Sequence, residues 1–323
     1  MLELRDVTVD YLTPAGTKRA VDNVSFALAP GEVLGLAGES GSGKSTIAQA
    51  ILRILRPPGL ISGGEVLWEG KDILSLDPSA LRAFRWTEIA MAFQSALNAL
   101  NPVMTVGDQI ADTLRAHGVK DRREIARRID ELLKVVGIDA NRAKAYPHQL
   151  SGGMRQRAVI AIALALRPKL LIMDEPTTAL DVVVQRSIME QIRDLKATLG
   201  FSILFITHDI SLMVEFSDRM AIMYGGKLVE MAPAAELFQN PQHPYTRGLL
   251  DSFPSLTAPK TRLSGIPGSP PDLLALPSGC VFHPRCPRRF EPCDTFEPPL
   301  DHTGPDHRTA CFLYPTAPSE VSV

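Results

Sequence analysis

Eight consecutive residues, Gly38-Glu39-Ser40-Gly41-Ser42-Gly43-Lys44-Ser45, follow the order G-x-x-x-x-G-K-[ST], whose chemistry is the binding of nucleotide phosphates. Glycines let the backbone curl so that successive N–H groups point inward, and a following helix adds the positive end of its dipole. Lys44 can reach the β- and γ-phosphates, and the Ser45 hydroxyl can hold Mg²⁺. The apolar run Val33-Leu34-Gly35-Leu36-Ala37 predicts a buried parallel strand ahead of this loop, and Ser45-Thr46-Ile47-Ala48 predicts a helix behind it. Gly38, Ser40, Gly41, Gly43, Lys44, Ser45 and Thr46 are therefore candidate contacts to ATP.

A second constellation is Leu170-Leu171-Ile172-Met173-Asp174-Glu175-Pro176, an apolar strand pattern delivering two carboxylates at its end. Adjacent carboxylates repel when buried, so the pair calls for a cation, which Mg²⁺ bound to ATP supplies. Asp174 can hold the ion through water, leaving Glu175 to accept a proton from the attacking water or to orient it. A third is Ser151-Gly152-Gly153-Met154 ahead of the helix-like run Arg155 to Leu166. A serine and two glycines at a helix entrance form another anion site. One nucleotide does not need two phosphate cradles in one chain. Two subunits meeting head to tail, each covering the other's γ-phosphate, account for the second.

The elements that must position these groups are set by the apolar patterning. Leu2 to Tyr11 and Val24 to Leu28 predict strands, Gly64 to Gly70 a hairpin-like turn, and together a small antiparallel sheet. Ile125, Ile129, Leu132, Leu133 and Val136 recur at helical spacing, with Gly137 as terminator, and the region from about Thr105 to Val136 is predicted helical. Leu170 to Met173 and Ser202 to Ile206 predict short buried strands joined through a helix over Val182 to Leu199, as parallel crossovers require. There is no internal repeat.

Composition bounds the rest. The 323 residues are 45% apolar, enough for one large core or two modest ones. A formal charge of -2 with both signs interspersed argues against a nucleic-acid binder. Arg122-Arg123 and Arg127-Arg128 read as a solvated helix face. No apolar run reaches the roughly 20 residues needed to span a bilayer, and MLELRDVTVDYL alternates like a strand rather than a secretion signal. The expectation is a cytosolic chain able to dock on a membrane protein. Sixteen of the 26 prolines lie between Pro241 and Pro318, so a nucleotide-binding core is expected to end near residue 240, with turns and short elements behind it.

These motifs together resemble the ATP-binding subunits of ABC transporters. GESGSGKS is similar to that family's Walker A motif, LSGGM to its signature motif and LLIMDEP to its Walker B motif. Gln94 resembles the Q-loop glutamine, Asp181 the D-loop aspartate, His208 the switch histidine and Tyr11 the aromatic that stacks on adenine. All occur in family order. The resemblance implies that Gln94 senses Mg²⁺ and the γ-phosphate, that His208 contacts the γ-phosphate and orients Glu175, and that Ser151, Gly152, Gly153 and Asp181 act in trans. Met154 departs from the common wording, which has Gln there; it follows both glycines. The stretches Gln94 to Val103, Thr177 to Val182 and Asn240 to Arg247 are similar to subunits serving dipeptide and oligopeptide importers, with oligosaccharide and nickel importers sharing much of the pattern.

The resemblance implies an α/β fold: a P-loop nucleotide-binding core over 1–240 with an antiparallel β subdomain and a helical subdomain (about 95–165), then an irregular cysteine-containing extension over 241–323. It also implies a second, related ATPase subunit, two transmembrane permeases, an extracytoplasmic solute-binding protein, and a peripheral place on the cytoplasmic face of the membrane. A permease helix would enter the groove beside the Gln94 loop. The other class with these motifs is a soluble ATPase acting as a mechanical clamp. The DNA-maintenance type needs long coiled-coil insertions and the translation type two ATPase domains in one chain, and the sequence has neither.

Cys280, Cys286, Cys293 and Cys311 are the chain's only cysteines. Four thiolates suit a tetrahedral zinc ion or an iron–sulfur cluster, while the spacing alone also allows four unconnected cysteines. The phrase Gly279-Cys280-Val281-Phe282-His283-Pro284-Arg285-Cys286-Pro287 is similar to the C-terminal region of peptide-importer ATPases, some of which carry a [4Fe-4S] cluster. The resemblance therefore implies such a cluster, with zinc as the alternative and a structural or assembly role.

Overall fold

The computed structural model describes residues 1–93, 99–177, 181–252 and 265–314. These form two compact units, one of Met1–Leu28, Val33–Leu74 and Thr207–Val323, the other of Ala29–Glu32 and Ser75–Ile206.

The first unit begins with an antiparallel sheet of β1 (Leu2–Thr13), β2 (Gly16–Leu28), β4 (Gly59–Trp68) and β5 (Lys71–Asp72), in the order β2-β1-β4-β5. Its buried apolar positions on β1 are Leu2, Leu4, Val7 and Val9, a pattern that changes phase between Leu4 and Val7. A bulge there absorbs the extra residue, with Asp6 at φ 48° and its N–H donated to Ser25 Oγ. Strand β2 is longer than the expected Val24–Leu28. Its first residues are polar and exposed, so hydrophobic patterning does not mark them, and pairing with Asp10 to Thr13 holds them.

The same unit contains β3 (Val33–Ala37), fully buried, leading through the glycine-rich loop into α1 (Lys44–Ile51). Strand β3 runs parallel to β9 (Arg219–Tyr224), which pairs antiparallel with β10 (Lys227–Pro233). Helix α7 (Ile210–Phe216) precedes β9, and α8 (Ala234–Gln239) and α9 (Pro244–Asp251) follow β10. Among the described residues the segment from 265 is largely turns, as its prolines require, yet it contributes the short strands β11 (Asp301–His302) and β12 (Arg308–Thr309). Strand β12 adds to β10 through Glu230↔Thr309 and Met231↔Arg308.

The second unit contains three parallel strands, β6 (Ile89–Ala92), β7 (Leu170–Asp174) and β8 (Ser202–Ile206), with β7 in the middle. Its helices are α2 (Pro78–Phe84), α3 (Val106–Ala116), α4 (Arg122–Val135), α5 (Gly152–Ala163) and α6 (Val182–Leu199). The continuous helical stretch expected from Thr105 to Val136 is two helices. Gly118 sits at φ 90°, and Asp121 starts α4 by accepting from the Arg123 N–H. Gly137 terminates α4 at φ 66°, where Ile138 N–H returns to the Leu133 carbonyl. Arg128 is not simply a solvated cation: its guanidinium donates to the carbonyls of Leu164 and Ala165, capping the C-terminal end of α5.

Candidate functional site

The glycine-rich loop has the shape its sequence implies. Gly38 takes φ 148°, and a Cβ there would lie 2.2 Å from the Met223 carbonyl oxygen. Gly43 takes φ 105°, where a Cβ would lie 2.3 Å from the carbonyl oxygen of Ala20. Neither position admits a side chain without backbone displacement. Lys44, only 6% exposed, turns back across the loop: Nζ donates to the carbonyls of Gly38 and Glu39, each at 2.8 Å, and to Ser42 Oγ at 3.3 Å. Those bonds satisfy the buried ammonium and direct it along the concave face of the loop. Ser45 and Thr46 occupy the first turn of α1, half-buried, where unpaired helix N–H groups gather. Tyr11, also half-buried, lies on β1 opposite Gly59. His208 is exposed and directly precedes Asp209, the N-cap of α7.

In the second unit β7 ends at Asp174, which is 5% exposed, and the chain turns sharply at Glu175, held at φ 47° with its N–H donated to the Ile206 carbonyl. A left-handed glutamate is unusual and marks a strained turn at the end of β7. Ser151 caps α5, its Oγ accepting from Met154 N–H at 3.3 Å, and is exposed. Asp181 caps α6 in the same way through Val184 N–H. The two helix starts meet, since a Cβ on Gly153 would lie 2.8 Å from the Val184 side chain. Gly153 is thus also a packing glycine, which the short motif did not reveal. Gln94 and Thr178 to Leu180 lie outside the described residues.

The cysteines converge. Gly279, at φ 64°, lets the chain pass so closely to residue 293 that a Cβ would meet the Cys293 carbonyl at 2.5 Å, and Cys280 N–H donates to that carbonyl. All four cysteines line one cavity, with His243, Phe282 and Phe290 also in its wall. None is in a disulfide. Burial pushes the thiols of Cys280 and Cys311 up to about 11, and their cysteine neighbours push the same way. Among the described residues no group of three or more His, Cys, Asp or Glu side chains has an arrangement that could hold a metal ion.

Residues that the sequence did not single out brace the phosphate loop from outside. Glu39 N–H donates to Tyr245 Oη at 2.8 Å, and the Glu39 carboxylate accepts two bonds from Arg285, at 2.7 and 3.0 Å. Glu39 occupies a variable position of the motif, so its type carried no signal.

Residues 21–178 match the ABC transporter family, and residues 229–293 match the family described as oligopeptide/dipeptide transporter, C-terminal region. The dipeptide transport ATP-binding protein DppD of Caldanaerobacter subterraneus subsp. tengcongensis is 42% identical over 97% of this chain and 97% of its own length. The chain belongs to the ABC transporter ATP-binding proteins. DppD of Bacillus subtilis is 41% identical over 97% of this chain and 94% of its own. Among solved structures, the dimeric post-hydrolysis state of the ATP-binding cassette MJ0796, bound to ADP and phosphate, is 30% identical with a TM-score of 0.65, covering 72% of this chain and 99% of that one. The α/β cassette fold with its antiparallel sheet and helical parts is that of an ABC ATPase, and ATP hydrolysis is this chain's reaction.

Proposed function

We propose that this ABC ATPase binds and hydrolyses ATP to drive uptake of dipeptides or oligopeptides, working at the cytoplasmic face of a membrane beneath two permeases fed by an extracytoplasmic solute-binding protein. The observation that carries the cargo reading is the match of residues 229–293 to the peptide-transporter C-terminal region, because the phosphate-loop and carboxylate motifs by themselves do not distinguish one cargo from another. No described helix is long and apolar enough to cross a membrane; in this reading the permeases supply the translocation path. The core is taken as residues 1–240, with a helical subdomain over about 95–165, and the extension as 241–323.

In this reading the loop N–H groups and Lys44 hold the phosphates, and Tyr11 stacks on adenine. Ser45, Gln94 and Asp174 would hold Mg²⁺, which screens phosphate charge when bound. Glu175 takes a proton from the attacking water while His208 contacts the γ-phosphate and orients Glu175. Ser151, Gly152, Gly153 and Asp181 serve the nucleotide of a second ATPase subunit, a related but different chain. Closure of that pair then moves the permeases between inward- and outward-facing states.

The finer reading of the tail is a [4Fe-4S] cluster on Cys280, Cys286, Cys293 and Cys311. What supports it is the single cavity that all four thiols line. The thiols of Cys280, Cys286 and Cys311, which burial disfavours as thiolates, need a cationic centre to be held ionised. Its contribution is to cross-link a segment too rich in proline to build much core. Anaerobic purification with iron and sulfide quantification tests this. Iron and sulfide near four each per chain are expected; one zinc and no iron overturns the cluster. For the function, the native complex is isolated with its permeases and binding protein. Bound peptide and peptide-stimulated ATP turnover are expected, whereas a sugar or nickel ligand, or co-purifying DNA or ribosomes, overturns the reading.

A further inference from the structure

Glu39 is held through three groups, its amide, its carboxylate and its carbonyl, and each leads to a different part of the first unit. Its amide N–H goes to Tyr245 Oη on α9, and its carboxylate goes to Arg285. Its carbonyl oxygen accepts from Lys44 Nζ at 2.8 Å and from Ser42 N–H at 3.2 Å. A movement of Glu39 therefore displaces an oxygen that positions the phosphate-binding lysine.

Arg285 is itself fixed. Nε donates to the Pro267 carbonyl at 2.8 Å, Nη1 to Tyr224 Oη at 3.2 Å, and Nη2 to the Ile266 carbonyl at 3.4 Å. The guanidinium also lies 5.7 Å from the centre of the Tyr224 ring. Its side chain is 7% exposed and that of Glu39 24%. A two-armed arginine–carboxylate bond with this little solvent is geometrically specific, and a lysine cannot reproduce it. Tyr224, Tyr245 and Phe282 pack their rings together with centroids 4.5 to 5.4 Å apart, so the Tyr245 hydroxyl that accepts from Glu39 and the Tyr224 hydroxyl that accepts from Arg285 share one rigid base.

The chain position of Arg285 gives this brace a further meaning. It ends the short turn His283–Arg285, whose N–H groups return to Cys280 and Phe282, and the next residue is Cys286. The arginine gripping the phosphate loop is thus carried on the link between two of the four converging cysteines.

We propose that Arg285 is a positioning residue for ATP binding: through Glu39 it holds the phosphate loop and the Lys44 ammonium in register, and it couples the four-cysteine lobe to nucleotide affinity. The proposal rests on ATP hydrolysis by this chain and is independent of the cargo. The Arg285 guanidinium is engaged by Glu39, Tyr224 and the carbonyls of Pro267 and Ile266, so its loss acts on the loop's resting geometry and not on the hydrolytic step.

The test uses the assembled transporter and compares wild type, Arg285→Lys, Arg285→Gln, Glu39→Gln and the Arg285→Gln/Glu39→Gln pair. ATP dissociation constant, KM and kcat are measured with thermal melting of each complex. Arg285→Gln is expected to raise the ATP dissociation constant and KM on the order of tenfold, as expected for losing one charge-assisted contact, with kcat kept within about twofold. Arg285→Lys should fall between it and wild type, and the pair should be no worse than the more affected single variant. Leu4→Ala, which hollows the antiparallel sheet of the same unit and removes none of the Glu39 bonds, should lower melting without moving KM. Unchanged KM in Arg285→Gln, additive effects in the pair, or an equal KM rise in Leu4→Ala each overturn the positioning role. Coupling to the lobe is read with Cys286→Ser. It should weaken ATP binding in the wild-type background and add nothing to Arg285→Gln, and an equal further loss in both backgrounds defeats the coupling.

Discussion

Acidification should destabilise this chain through His243, and the size of the effect is set by its surroundings. The ring is 1% exposed, and Nδ1 accepts the Tyr245 N–H at 3.1 Å as the N-cap of α9, a bond that needs the nitrogen unprotonated. Burial pushes the imidazole down to about 4, with Glu230 pulling the other way. In the unfolded chain a histidine titrates near 6.5, so between about pH 4 and pH 6.5 the unfolded state binds a proton that the folded state refuses. Stability from this group is complete above about pH 6.5, falls as pH drops through that window, and levels below about 4. A separation of about 2.5 pH units at about 1.4 kcal/mol each makes the loss roughly 3 kcal/mol. Urea melts of wild type and His243→Asn across this interval measure it, since asparagine can keep the cap while removing the titration. The stability difference between the two proteins should shift by roughly 3 kcal/mol between the ends of the window. Parallel pH profiles, or an imidazole NMR titration near 6.5 in the folded chain, would refute the reasoning.

Three further outcomes are expected. Glu175→Gln should retain ATP binding and accumulate the closed ATP-bound pair while hydrolysis at its site drops roughly a hundredfold or more; site-resolved nucleotide trapping is the measurement, because a different partner subunit could continue to turn over. Lys44→Ala should weaken ATP binding by roughly ten- to a hundredfold in equilibrium titration, through loss of charge-assisted bonds to phosphate. Gly38→Ala should lower the melting temperature more than Gly41→Ala, because a Cβ at Gly38 meets the Met223 carbonyl while one at Gly41 meets open space; equal shifts would show that the loop yields freely.

The glycine loop, the apolar strands and the carboxylate turn were legible because each is a local pattern: contiguous residues whose spacing has one physical use. Strand β3 and helix α1 formed where the apolar run and the loop placed them. The long first half of β2 was not legible, since Thr17, Lys18 and Arg19 are solvent-facing and owe their strand conformation to the partner strand. The break between α3 and α4 was present as Gly118 and Asp121, but the apolar spacing on either side masked it. The Glu39–Arg285 bond joins positions 246 residues apart, beyond any periodicity argument. Clustering of the cysteines was readable from composition, whereas their convergence on one cavity depends on Gly279 admitting the Cys293 backbone.

The short β12 strand closes something that would otherwise be sticky. Without it, β10 would present the open hydrogen-bonding side of Leu228 to Ala232, a mostly apolar edge of the kind on which foreign strands assemble. During synthesis β10 emerges well before residues 308–309 exist to cover it. The nascent chain therefore passes through an interval of self-association risk that ends only when the last segment docks. Glu230 makes that docking selective: its buried carboxylate, already bonded to the N–H groups of Gln242 and His243, receives His307 at 2.7 Å, so a strand lacking such a donor is a poorer substitute. The tail thus covers the edge that β10 would otherwise offer to another chain.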